Sequence, residues 1–250
     1  MLEVRSIWSN QVTPEEIMDF RSVANRTFGT DYLTEDYFKA KYLDNIYGPS
    51  LLIMAYMDGQ AVGVRACWRN DLEGKEAYES ADSSVLPSFQ KRGIFRAILE
   101  KTAEFASDNP QAILYGYPNS NSCPVYKKLG WNVKQLYKTL FYPGFSPRSR
   151  IPYINAEYAL WWLKRRNKIC RMKRFGRWYL VKQSTNPGRG IILGYVDRKV
   201  ALCFPRAQSF LWRLFCYVDS NSSRKNRGMK NASFYNCPDP KAPWYKIDAV

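Results

Sequence analysis

Between Tyr78 and Phe105 the chain reads as a strand stopped by Pro87, a short polar loop, and an amphipathic helix opened by Gly93. The helix is expected over residues 94 to 107, with Ile94, Ile98, Leu99, Ala103 and Phe105 on its apolar side. A strand that passes through such a loop into a helix presents backbone N–H groups with no partner, both in the loop and in the first helical turn. They converge on one point, and the helix dipole adds positive potential there, so the segment suits an anion such as a diphosphate. Gly93 lets a phosphate approach the backbone without a Cβ in the way, and Lys91 and Arg92 add mobile charge at the mouth.

The elements around this unit set the fold class. Residues 14 to 28 carry Ile17, Phe20, Val23 and Ala24 at helical spacing, with Thr13 as N-cap and Glu16 three residues on. A second short helix is expected over residues 34 to 43 and a turn over Asn45 to Ser50. Asp58-Gly59 then separates two apolar runs, a hairpin signal. After the strand from Tyr78 to Leu86 and the helix come a short strand, Ala112 to Tyr117, and a helix, Ser122 to Leu129, stopped by Gly130. This order implies an α/β sandwich.

The second half is less regular. A helix is expected over residues 156 to 166 and strands over Trp178 to Lys182, Gly190 to Val196 and Val200 to Phe204. A helix over Ala207 to Tyr217, a polar loop over Ser220 to Lys230 and a closing strand over Trp244 to Ala249 complete the reading. Tyr37, Lys41 and Tyr42 before one strand pair echo Tyr158, Trp162 and Leu163 before another. The echo reads either as a degenerate second copy of one half-fold or as a coincidence between two aromatic-rich helices. The run from Lys164 to Arg177 holds eight basic residues flanked by Trp161, Trp162 and Trp178. A solvated face is its default reading, and a phosphate, nucleic-acid or membrane-surface patch its sharper one.

Composition closes several routes. The chain has no histidine, which removes Ser-His-Asp and Cys-His catalysis and every histidine-containing zinc site. A general base must then be a carboxylate, tyrosine, lysine, cysteine or relayed water. The six cysteines are widely spaced without a C-x-x-C pair and read as small buried hydrophobes in a reducing compartment; no metal site is expected. No apolar run is long enough for a transmembrane helix, and the N-terminus lacks a signal-peptide core, so a cytoplasmic location is expected. A net charge of +16 favours anionic partners.

Gln90 and Gly93 match the Q/R-x-x-G-x-G/A pattern of the GNAT superfamily of N-acyltransferases, with Phe95 where a small residue is usual. Residues 116 to 131 also resemble a second stretch of that family through Asn119, Ser122, Tyr126, Lys128, Leu129, Gly130 and Trp131. The resemblance covers residues 1 to 140, including the Asp58-Gly59 hairpin and Tyr47-Gly48-Pro49, and leaves 141 to 250 as a basic, aromatic-rich α+β region. It is similar to GNAT-type proteins associated with bacterial surface polysaccharide synthesis. It implies a mixed sheet flanked by helices, and a V-shaped gap between the strands at Tyr78 to Leu86 and Ala112 to Tyr117. An acyl-CoA, most simply acetyl-CoA, would lie there as co-substrate. Its pantetheine would pair with backbone near Val85, and its pyrophosphate would sit on Gln90, Lys91, Arg92, Gly93, Ile94, Phe95 and Arg96. Asn119 would contact the cofactor arm, and Tyr126 would protonate the departing thiolate.

Glu79 matches the catalytic glutamate of histone acetyltransferases in the superfamily. By the two-residue strand period Asp82 should point to the opposite side, so only one of the two can face the substrate. A lysine-like amine with a pKa of about 10.4 is neutral in roughly one molecule in two thousand at pH 7, whereas an amine near 8 is about a tenth neutral. The first needs a base far more than the second, and Glu79 is the residue assigned. Two functions follow: acyl transfer to a small primary amine such as an amino sugar, nucleotide-linked or free, or a GNAT-like scaffold that holds nucleic acid or an acidic polymer. Aminoacyl or peptidyl transfer is a third.

Overall fold

A computed structural model describes residues 1–72, 74–118, 122–128, 130–141, 151–166, 168–174, 176–183, 189–207, 213–219 and 229–235. Among the described residues the chain divides into two units, one built from Met1–Lys134 with residues 232–235, the other from within Gln135–Asn231. The boundary expected at 140 falls inside a strand.

The first unit grows from the hairpin. Asp58 and Gly59 take φ of 50° and 83°, the left-handed pair that a tight turn between twisted strands requires. They join β2 (Leu51–Met57) to β3 (Gln60–Arg69). A strand not anticipated from the sequence, β1 (Leu2–Trp8), pairs antiparallel with β2. Its alternation is masked by Arg5 and Ser6, which suit an edge. On the other side β3 pairs antiparallel with β4 (Ala77–Val85), and β4 pairs parallel with β5 (Ile113–Gly116). Beyond β5 lie Ser233–Tyr235 of β11 (Met229–Tyr235), antiparallel.

The helices cover both faces. α1 (Pro14–Phe28) begins with the expected capping box: Thr13 Oγ1 accepts from the Glu16 amide, and Glu16 accepts from the Thr13 amide at 2.8 Å. α2 (Glu35–Phe38) runs on into a π-helical turn, Lys39–Leu43. Phe20, Phe38 and Tyr42 form a cluster of edge-on and tilted rings under this layer. On the opposite face α3 (Ile94–Asp108) buries Ile94, Ile98, Leu99 and Phe105 against Val62, Tyr78 and Leu114. Gly63 makes that approach close: a Cβ there would lie 2.9 Å from Ile98 Cδ1 and 3.0 Å from Ile94 Cγ2. Gly63→Val is therefore expected to push α3 off β3 and cost about 1–3 kcal/mol, read as a fall in Tm of several degrees. An unchanged Tm would show that the helix yields without cost.

In the second unit β7 (Ile169–Arg174), β8 (Arg177–Gln183) and β9 (Arg189–Val196) form an antiparallel meander. β10 (Arg213–Asp219) pairs parallel with β9, and Tyr137–Phe141 of β6 (Asn132–Phe141) pair antiparallel with β10. Meander, parallel strand, antiparallel strand is also the order β2, β3, β4, β5, β11 of the first unit.

Several expectations for this half are corrected. The segment read as a strand from Val200 is α6 (Arg198–Leu202), one short turn that starts after Asp197 and buries Val200 and Ala201. The helix expected to Tyr217 is a strand from Arg213: its aromatic residues matched helical spacing but favour a sheet. The basic run is not a bare charged face, for it contains β7. The helix expected over 156 to 166 is α5 (Ala156–Trp161) followed by a 3₁₀ turn, Leu163–Arg165. Trp161 and Trp162 are buried, and Lys173 Nζ lies 5.7 Å from the Trp178 ring centroid. The rings offered by the sequence for base stacking thus have partners within the unit. The closing strand expected over 244 to 249 and most of the loop expected over 220 to 230 lie outside the described residues. Among the described residues, no helix is long and apolar enough to cross a membrane.

Candidate active site

The site begins where two strands part. β4 and β5 are paired only from Ala77–Ile113 to Glu79–Tyr115. Beyond that point β4 continues to Val85 while β5 ends at Gly116. The gap is a cleft of about 780 Å³, within the range of small-molecule sites. Ser80, Ser83, Ser84 and Val85 line one wall, and Tyr117, Pro118, Ser122, Val125 and Tyr126 the other.

The loop after Val85 forms the mouth. Pro87–Phe89 make one 3₁₀ turn, closed by Phe89 N–H donating to Leu86 O at 2.9 Å. Gln90 Nε2 donates to Val85 O at 3.1 Å, which clamps the loop to the strand end. Lys91 and Gly93 then take left-handed φ of 63° and 80°. Glycine is required at 93 by that angle; a Cβ there would meet nothing within 4 Å, so the space above it is open. The amides of Lys91, Arg92, Gly93, Ile94, Phe95 and Arg96 donate to no backbone carbonyl of the described residues, and the first helical bond runs from Ala97 to Gly93. Successive free amides at the start of a fifteen-residue helix form an anion cradle.

Of the residues expected at the loop, Gln90, Lys91, Gly93, Ile94, Phe95 and Arg96 line the cleft with Val85. Phe95 also packs on the core, so its bulk is partly taken up there. Arg92 stacks on the Phe89 ring at 5.3 Å and is not part of the lining. Asn119 and Leu129 lie outside the described residues. Tyr126, on α4 (Cys123–Lys128), is buried edge-on against Trp131 and lines the far wall.

The two carboxylates are placed differently from the strand-period expectation. Gly63, Val64, Ala66 and Cys67 pair with Val85, Ser84, Ala81 and Ser80, so the single Arg65 faces both Asp82 and Ser83. Asp82 takes a left-handed φ of 47°, and the resulting bulge breaks the alternation. Glu79 pairs across the sheet with Trp68, whose indole N–H donates to Lys41 O. Asp82 accepts from Lys41 Nζ at 3.2 Å and from the hydroxyls of Tyr42 and Tyr32. Both acids therefore lie on the Lys41 side, and neither lines the cleft. Glu79 is 2% exposed and accepts from Asn70 Nδ2 at 3.1 Å and Tyr115 OH at 3.3 Å. Burial pushes the Tyr42 hydroxyl well above its ordinary pKa, so it stays protonated and donates to Asp82.

The bulge also turns Ser80 and Ser83 the same way, toward Arg65. Sequence reasoning missed all three. The available signal was an arginine inside the apolar run Ala61 to Trp68, where a charge must be satisfied or used.

Splayed parallel strands, a cradle of free amides and a tyrosine on the facing helix now stand together. Residues 17–131 match the family model described as Acetyltransferase (GNAT) family. That match, to a GNAT-family domain, spans just under half of the chain. An N-acetyltransferase of Methanocaldococcus jannaschii is 26% identical to it over 149 residues, 54% of this chain and 65% of the relative. The chain thus spans just under two thirds of that relative's length. GCN5-related N-acetyltransferases from Anabaena variabilis and Kribbella flavida superpose with TM-scores of 0.61 and 0.58 at 13% and 12% identity. These alignments cover 92% and 93% of this chain and 72% and 71% of theirs. At such identities the likeness is one of fold: the mixed sheet flanked by helices is the GNAT architecture, and a second sheet-bearing half accompanies it.

Proposed function

We propose that the GNAT domain transfers an acetyl or other short acyl group from CoA to a primary amine. The observation that carries this is the row of six unpaired amides, 91–96, at the mouth of the cleft between β4 and β5. Those amides, with Lys91 and Arg96, fit a pyrophosphate, and the cleft fits the pantetheine arm behind it. The bound thioester supplies the activated acyl carbon. Holding amine and thioester together then provides much of the rate, and backbone N–H near Val85 steadies the carbonyl oxygen. Tyr126 gives its hydroxyl proton to the departing sulfur.

Glu79 is the carboxylate we assign to the amine's proton, reached through a water because its side chain lies behind the strand. With no acid in the cleft lining, a weakly basic acceptor is favoured, one that is about a tenth neutral at pH 7 without help. An amino sugar fits, and the +16 charge suits a nucleotide-linked one.

Incubating the protein with a metabolite mixture and isotope-labelled acetyl-CoA, followed by mass spectrometry, is expected to show label in an N-acetylated product with release of free CoA. Acetyl-CoA binding without label transfer to any amine would overturn the transferase reading in favour of a binding scaffold.

A further inference from the structure

Arg65 stands in the middle of β3 with none of its surface exposed. A buried guanidinium ordinarily faces a carboxylate. Among the described residues this one bonds to none. Nη1 donates to Ser83 Oγ at 3.1 Å and to the Tyr126 hydroxyl at 2.7 Å, and Nη2 donates to Ser80 Oγ. The remaining neighbour is Cys67, whose thiol burial pushes up, so it stays neutral and offers no counter-charge. The cation is thus held by three neutral hydroxyls.

Those hydroxyls have a directional consequence. A hydroxyl that accepts from a guanidinium spends a lone pair on it and turns its own proton elsewhere. Ser80, Ser83 and Tyr126 all line the cleft. The side chains that hide Arg65 therefore relay its charge, presenting O–H donors on the cleft side. An unpaired cation behind converging donors is a site for an anion, and it lies deeper in the gap than the amide cradle at the mouth.

We propose that Arg65, acting through Ser80, Ser83 and Tyr126, forms a site that stabilises the CoA thiolate as it leaves. Arg65 is a positioning residue, and the inference rests on the acyltransferase reading above. In the step it serves, the amine nitrogen bonds to the acyl carbon, the carbon–sulfur bond breaks, and its electron pair passes to sulfur. Tyr126 O–H transfers its proton to that sulfur; the amine's proton passes through water to Glu79, and Tyr126 is reprotonated from solvent before the next turnover. While Tyr126 lacks its proton, the guanidinium at 2.7 Å balances the phenolate.

The test needs no acceptor. Free CoA is bound to the protein, and the ionisation of its thiol is followed through thiolate ultraviolet absorption as pH is raised, with CoA affinity measured separately by calorimetry. In the parent protein the bound thiol is expected to ionise at least about one pH unit below an ordinary thiol near 8.5. Arg65→Gln should abolish that shift, and Arg65→Lys should retain part of it. An Arg65→Gln protein that binds CoA and titrates like the parent overturns the proposal. A parent protein that does not bind CoA overturns the acyltransferase reading instead. Should Arg65→Gln fail to fold, the double variant Ser80→Ala, Ser83→Ala keeps the charge and removes two relays. A smaller shift there supports the site, and a parent-like titration overturns it.

Discussion

Gly93→Glu is expected to abolish acetyl-CoA binding, lowering affinity by roughly ten-thousandfold in calorimetry. Two effects act together. The φ of 80° at position 93 is left-handed, which costs a residue with a Cβ about 1–2 kcal/mol. A carboxylate about 4 Å from a pyrophosphate oxygen then adds about 4 kcal/mol of repulsion at an effective dielectric of about 20. Because a Cβ at 93 meets nothing within 4 Å, Gly93→Ala separates the two: it carries the backbone cost without the charge and should lose far less affinity. Equal binding by the parent and the glutamate variant would mean that the amides of 91–96 hold no phosphate.

Tyr126→Phe is expected to lower kcat by about 10²- to 10³-fold while KM for acetyl-CoA stays within a few fold. Loss of a positioned proton donor has that magnitude, and an interaction needed mainly as sulfur departs appears in kcat rather than in binding. The ring keeps its contact with Trp131, so the cleft wall should stand. An unchanged kcat, measured with whichever amine the labelling experiment identifies, would remove Tyr126 from the chemistry.

The legible parts of this chain were those written locally. Thr13 and Glu16 announce α1 because both halves of a capping box lie within four residues, and Asp58-Gly59 announces the hairpin because few dipeptides accept its φ values. The loop from Gln90 to Arg96 could be read because free amides are a property of any strand–turn–helix. The bulge at Asp82 was not legible: no glycine marks it, and the residue is held in the left-handed region by Lys41, Tyr42 and Tyr32, which come from far earlier in the sequence. That one irregularity reversed the expected placing of the acids and brought Ser80 and Ser83 together on Arg65. In the second unit, short apolar segments such as Val200 and Ala201 fit helix and strand alike, and tertiary packing decided between them.

The antiparallel neighbour of β5 is not the strand that follows it in sequence but Ser233–Tyr235, while Tyr137–Phe141 pair with β10. During synthesis, β5 and the cleft wall it carries must therefore wait, with one edge bare, until the ribosome has delivered the chain as far as Tyr235. Nascent chains halted before Ser233 would expose that edge to other molecules, a route to misassembly. The half that carries the cleft is begun first, yet its sheet is completed only by chain that follows the second unit.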